Sequence, residues 1–130
     1  MSTITRFEDI EAWQRARELT KAIYQLTAQG EWARDFGLRD QIRRAAVSAM
    51  SNVAEGFERR GNVEFGRFLS MAKASAGEVR SQLYVALDLD YVCEQEFKSA
   101  FKLAERTSAL IGAFMVYLRK KNAATGKSSA

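Results

Sequence analysis

Residues Gln41–Arg60 read QIRRAAVSAMSNVAEGFERR, and the spacing within this stretch decides the fold. Leu38, Ile42, Ala45, Ala49, Val53 and Phe57 recur at steps of three and four, which sets them on one face of a helix. Gln41, Arg44, Ser48, Asn52 and Glu55 recur at the same steps, one position further round. An apolar stripe beside an ordered polar row has two readings: plain solvated surface, or a hydrogen-bonded seam partly buried in a larger assembly.

Working outward, the same periodicity predicts three more helices. The first is expected over about Glu8–Ala28, with Ile10, Trp13, Ala16, Leu19, Ile23 and Leu26 inward and Gly30 ending it. Trp32, in the connector that follows, is expected to plug the end of a bundle. The helix containing the quoted stretch should run from near Phe36 to near Glu58. Asn62 reads as the N-cap of a third helix reaching about Leu89, whose inward residues include Phe65, Phe68, Leu69, Ala72, Ala76, Val79 and Leu83. The fourth is expected over about Glu94–Lys120. Short joints between long helices force antiparallel neighbours, so the fold class is all-α: an antiparallel up-down-up-down four-helix bundle over residues 1–121. The tail 122–130, NAATGKSSA, has no large apolar side chain to offset ordering entropy and is expected to be disordered.

Composition agrees. The chain of 130 residues is sized for one domain, contains no proline and eight glycines, and is 47% apolar. No apolar run approaches the roughly 20 residues a membrane-spanning helix needs. The start, MSTITRFEDIEAW, places acids where a signal peptide would need an apolar core. A lone Cys93 cannot form an internal disulfide. A soluble cytoplasmic protein with no membrane association is therefore expected. The net charge of +4 is concentrated at the C-terminal end, where residues 92–130 carry seven basic and three acidic side chains.

The quoted stretch and its flanks also resemble a known family. Phe7-Glu8-Asp9-Ile10, Gly37-Leu38, Gln41–Ala46 with Ser48, Asn52, Ala54-Glu55-Gly56, Phe65, Phe68-Leu69, and Ser75 with Glu78 occur in the order found in small four-helix-bundle proteins encoded in intervening sequences of bacterial large-subunit ribosomal RNA genes. The same superfamily includes the accessory variability protein of diversity-generating retroelements. The resemblance covers about Phe7–Tyr91 and, less sharply, reaches Leu118. Where the family often has Ile-Pro after the serine, this chain has Ala49-Met50, which removes a helix kink. The resemblance implies a ring-shaped homo-oligomer, a homopentamer, and docking onto a reverse transcriptase.

An enzyme is not expected, and no catalytic residue is assigned. Histidine is absent, so the usual acid–base group near neutral pH is missing, along with the Glu-x-x-His pairs of di-iron bundles. One cysteine without histidine makes no zinc or iron–sulfur site, and no phosphate-cradling glycine motif is present. Neither metal nor cofactor is predicted. Ser48, Asn52 and Glu55 are expected to meet Ser75, Glu78 and Gln82 of the third helix, with Gln41 and Arg44 as further members of the candidate network. The favoured reading is a structural polar network; the other is a groove for a ligand or RNA.

Lys98, Lys102 and Arg106 form a basic stripe, continued by Arg119, Lys120, Lys121 and Lys127, with Arg39, Arg43, Arg59 and Arg60 near the ends of the second helix. These are candidate contacts to RNA or DNA, set against the plainer reading of a solvated face. A second apolar stripe on the fourth helix, Leu103, Leu110, Phe114 and Tyr117, exceeds what one bundle needs and predicts self-association. The expected function is a non-enzymatic oligomeric scaffold or adaptor that binds RNA through its basic surface; the alternative is a protein-only interaction module.

Overall fold

The computed structural model describes residues 4–125, which form four α-helices and no strand. α1 spans Glu11–Thr27, α2 Phe36–Glu58, α3 Asn62–Asp88 and α4 Glu94–Thr125. Each helix packs on its neighbour in sequence, and α1 closes the circle against α4. Directions follow from paired residues. Thr20 Oγ1 donates to Ala46 O (3.1 Å) and Arg43 Nε to Thr27 Oγ1 (2.7 Å), so α1 and α2 run opposite ways. Phe65 meets Phe114 at 5.2 Å and Tyr84 meets Phe97 at 5.1 Å between ring centroids, which sets α3 and α4 antiparallel.

The core is built in three levels. At one end Leu19, Ile23, Trp32, Ile42, Val79, Leu83 and Val92 form a cluster of large side chains. At the other, Ile10, Val53, Phe65, Leu69, Ile111 and Leu118 form a second. Between them Ala16, Ala49 and Ala76 make a narrow waist. Small side chains there let the helices approach closely. Gly56 serves the same purpose at the α2–α3 crossing, where a Cβ would lie 2.7 Å from Phe68 Cβ and 2.9 Å from Phe65 Cδ1.

α2 starts at Phe36 because Asp35 caps it, its carboxylate accepting from Leu38 N at 3.2 Å. The helix is unbroken through Ala49-Met50. Trp32 plugs its end of the bundle as expected: it is fully buried and stacks on Tyr91 at 6.1 Å. Gly30 has φ of 58°, the left-handed turn anticipated after α1.

Four expectations need correction. The segment expected to begin the first helix is instead a 3-10 turn, Phe7–Asp9, separated from α1 by an extended Ile10 that drives its side chain into the core. Asn62 is the first residue of α3 rather than its cap. Gly61 holds the cap position, and Asn62 Nδ2 donates to Asn122 Oδ1 at 3.1 Å. α4 runs on to Thr125, into the segment expected to be disordered, while 126–130 lie outside the described residues. Finally, the second stripe of α4 is not a bare flank. Leu103 packs on the first cluster and Leu110 and Phe114 on the second, which leaves Tyr117 as its exposed member.

Candidate functional site

The polar rows of α2 and α3 meet in part. Ser75 Oγ donates to Ser48 Oγ at 2.9 Å across the two helices, and Asn52 Nδ2 donates to Ser48 O and Oγ, both at 2.9 Å. Ser75 is buried, and Ser48 and Asn52 are half-buried. This is a short seam of neutral groups. The outer members of the rows do not join it. Glu55 turns to Arg59, one helical turn on, at 2.9 Å; Gln41, Arg44 and Glu78 are exposed, and Gln82 is half-buried.

The α3 row that carries Ser75 also carries exposed apolar side chains. Met71, Ser75, Glu78, Gln82, Val85 and Leu89 recur at steps of three and four and so share one face of α3. Met71, Val85 and Leu89 are each more than two-fifths exposed. Met71 lies one turn from Ser75, whereas Val85 and Leu89 lie about 15 and 21 Å further along the helix toward the Trp32 end.

The basic residues divide into two kinds. Several are engaged within the chain. Lys98 pairs with Glu94 at 3.0 Å, and Arg106 with Glu11 of α1 at 3.1 Å. Arg39 binds Asp40 (2.8 Å) and Ala33 O (3.0 Å) and lies 4.7 Å over the Phe36 ring. That hydrogen bond holds the Asp40 carboxyl below the ordinary carboxylate range. Arg43 donates to Thr27 and lies over Tyr24. Arg59 binds Glu55, whose hydrogen bond strengthens its hold on the proton, and lies over Phe68. Others face solvent without an acidic partner among residues 4–125: Lys102, Arg119 and Lys120 on α4, and Arg60 at the α2–α3 joint. Lys121 is exposed beside them, and Lys127 lies outside the described residues.

No single basic surface unites all these positions. Lys98 and Lys120 are separated along α4 by about 33 Å at helical rise. Arg39 and Arg43 lie toward the Trp32 end, with Lys98. Arg59, Arg60, Arg119, Lys120 and Lys121 gather at the far end, where α2 stops, α3 starts and α4 finishes.

The model of the 23S rRNA-intervening sequence protein family matches residues 8–113. The chain belongs to that family. A solved structure from Bacteroides thetaiotaomicron, described as a protein of unknown function from the S23 ribosomal protein family, superposes with a TM-score of 0.74 at 18% identity. The alignment covers 80% of this chain and 97% of that one, a likeness of fold alone. No curated protein matches. Among the described residues of this intervening sequence protein, no helix is long and apolar enough to cross a membrane, and no group of three or more His, Cys, Asp or Glu side chains could hold a metal ion.

One feature of this family member escaped sequence reasoning. At the far end a cleft opens between the α2–α3 joint and the last turns of α4, lined by Phe57, Phe65, Phe114 and Tyr117 together with Arg60 and Lys121. Phe114 and Tyr117 read from sequence as part of an association stripe, whereas the structure turns them toward Phe65 and the joint. The available signal was the Phe114/Tyr117 pair, one helical turn apart near the C-terminal cations.

Proposed function

We propose that this intervening sequence protein is a non-enzymatic, self-associating scaffold that binds RNA through the exposed cations of α4. The observation that carries the reading is the set Lys102, Arg119 and Lys120, exposed on one helix and without an acidic partner among the described residues. Cations left unneutralised by their own chain attract phosphate, and counterion release makes such binding fall steeply with salt. Repetition of a weak patch around an oligomer raises its strength by avidity.

Self-association is supported by the α3 face that carries the exposed Met71, Val85 and Leu89 in line with Ser75 of the Ser48–Ser75 seam. That face lies across the bundle from the α1–α4 side, so association there leaves the cations accessible. Family resemblance favours a ring of five and a reverse transcriptase as protein partner.

Two measurements test the proposal. Light scattering should give a mass several times the 14.6 kDa of the chain, and a single-chain mass would overturn self-association. Anisotropy with labelled RNA at two salt concentrations should show strong salt dependence, and Lys102→Glu/Arg119→Glu/Lys120→Glu should flatten it. Absence of salt-sensitive binding by the wild-type chain would remove RNA from the proposal and leave a protein-only module, and unchanged binding by the variant would overturn the role of these three cations.

A further inference from the structure

The cleft at the far end has a volume of about 320 Å³, at the small end of ligand pockets. Its wall is a chain of rings: Phe57 meets Phe65 edge-on at 6.0 Å, Phe65 meets Phe114 at 5.2 Å, and Phe114 meets Tyr117 edge-on at 5.7 Å. Arg60 and Lys121 supply its cations, Ile4, Gly61, Asn62 and Leu118 the rest of the lining, and none of these residues is acidic. A planar ring with an anionic group attached is complementary to this combination, the ring against the aromatic wall and the charge beside the guanidinium.

The backbone at Arg60 adds a separate indication. Arg60 has φ of 62°, in the left-handed region just past the end of α2, a position where glycine is the usual residue. A side chain there is held at a conformational cost. The chain nevertheless places an arginine at this point, at the edge of the aromatic wall, and puts its glycine one residue later at Gly61.

We propose that the cleft binds one unpaired nucleotide, with its base against Phe114 and Tyr117 and its phosphate at Arg60 and Lys121. The source of that nucleotide is either a free nucleoside monophosphate or the end of a single strand; the second source rests on the RNA-binding reading above. A base paired in a duplex cannot enter a cleft of this size without its partner, at a blunt end as elsewhere, so the site selects unpaired nucleotides.

The test titrates the full chain with adenosine monophosphate, with adenosine, and with a short 5′-phosphorylated oligoadenylate either single-stranded or in a blunt duplex. The monophosphate should bind, adenosine should bind about tenfold more weakly, and the single strand should displace the monophosphate whereas the duplex should not. Tyr117→Ala should weaken monophosphate binding by about tenfold. Arg60→Gly should weaken it similarly while raising the melting temperature, because glycine relieves the left-handed backbone, and a loss seen in a more stable protein cannot be assigned to misfolding. Absence of monophosphate binding, or full affinity in both variants, overturns the site. If RNA binds with steep salt dependence but the monophosphate does not, the cleft falls and the RNA reading stands. If the monophosphate binds and RNA does not, the cleft stands as a free-nucleotide site and the RNA reading falls.

Discussion

The two ends of this bundle solve the same problem in opposite ways. At one end the α1–α2 and α3–α4 connections fold inward: Trp32 fills the gap, Tyr91 stacks on it, and the Tyr91 hydroxyl donates to Asp35 at 2.9 Å while Asp35 caps α2. At the other the α2–α3 joint is too short to cover anything, α4 runs past it, and an aromatic cleft stays open beside Arg60. A connector long enough to carry a tryptophan seals its end. A joint of Arg59, Arg60 and Gly61 leaves its end available to a ligand.

The contrast can be broken most forcefully at Trp32. Trp32→Ala removes the plug and should cost about 3–5 kcal/mol of folding stability in denaturant titration. A loss near zero would mean that this end is not sealed by packing. At the open end the largest effect belongs to Gly56. Gly56→Ala forces a Cβ against Phe68 and Phe65 and should cost about 1–3 kcal/mol, despite the better helix propensity of alanine. A gain in stability would show that the α2–α3 crossing has slack.

Asp35 sharpens the comparison at smaller scale. Asp35→Ala removes both the α2 cap and the acceptor of the Tyr91 hydroxyl and should cost about 1–2 kcal/mol, with faster amide exchange in the first turn of α2 and around Tyr91. The smallest effect is a pH dependence. The hydrogen bond to Asp35 raises the Tyr91 phenol above its ordinary 10.0, because the ionised phenolate would face a carboxylate. A raised folded-state value means that the contribution is complete below pH 10.0 and is lost as pH rises through the higher folded value. Melting temperature followed through this alkaline range should fall more for wild type than for Tyr91→Phe, and identical curves would count against a stabilising Tyr91–Asp35 hydrogen bond.

Much of the fold was legible in sequence because it rests on local signals. The bounds of α2 at Phe36 and Glu58 coincide with expectation, since the apolar period and the turn residues on either side mark the same helix, and the structure adds Asp35 as its cap. Ile10 was less legible: an apolar residue in phase with a helix looks helical, and only its burial through an extended backbone makes it a break. The second stripe of α4 was misread for a related reason. Periodicity gives an angle around the axis but not which neighbour covers it: Leu110 and one side of Phe114 pack on the cluster at the far end, and the other side of Phe114 faces the cleft.

At the candidate site, Ser48, Asn52 and Ser75 were found because short polar side chains at facing helical steps can pair with each other. The cleft was not found, since it depends on rings from three helices meeting at one end. Nor does an arginine in a sequence declare that its backbone is left-handed.

The alanine waist also bears on how the molecule comes apart. Ala16, Ala49 and Ala76 contribute little apolar area, so neither large cluster leans on the other through them. Each half holds its own apolar cluster, and loosening around Leu118 is expected to leave Leu83 in place. The halves are then expected to open as two separate blocks on shared helices. Occupation of the cleft would then slow hydrogen exchange in its own block and leave the Trp32 block at its former rate.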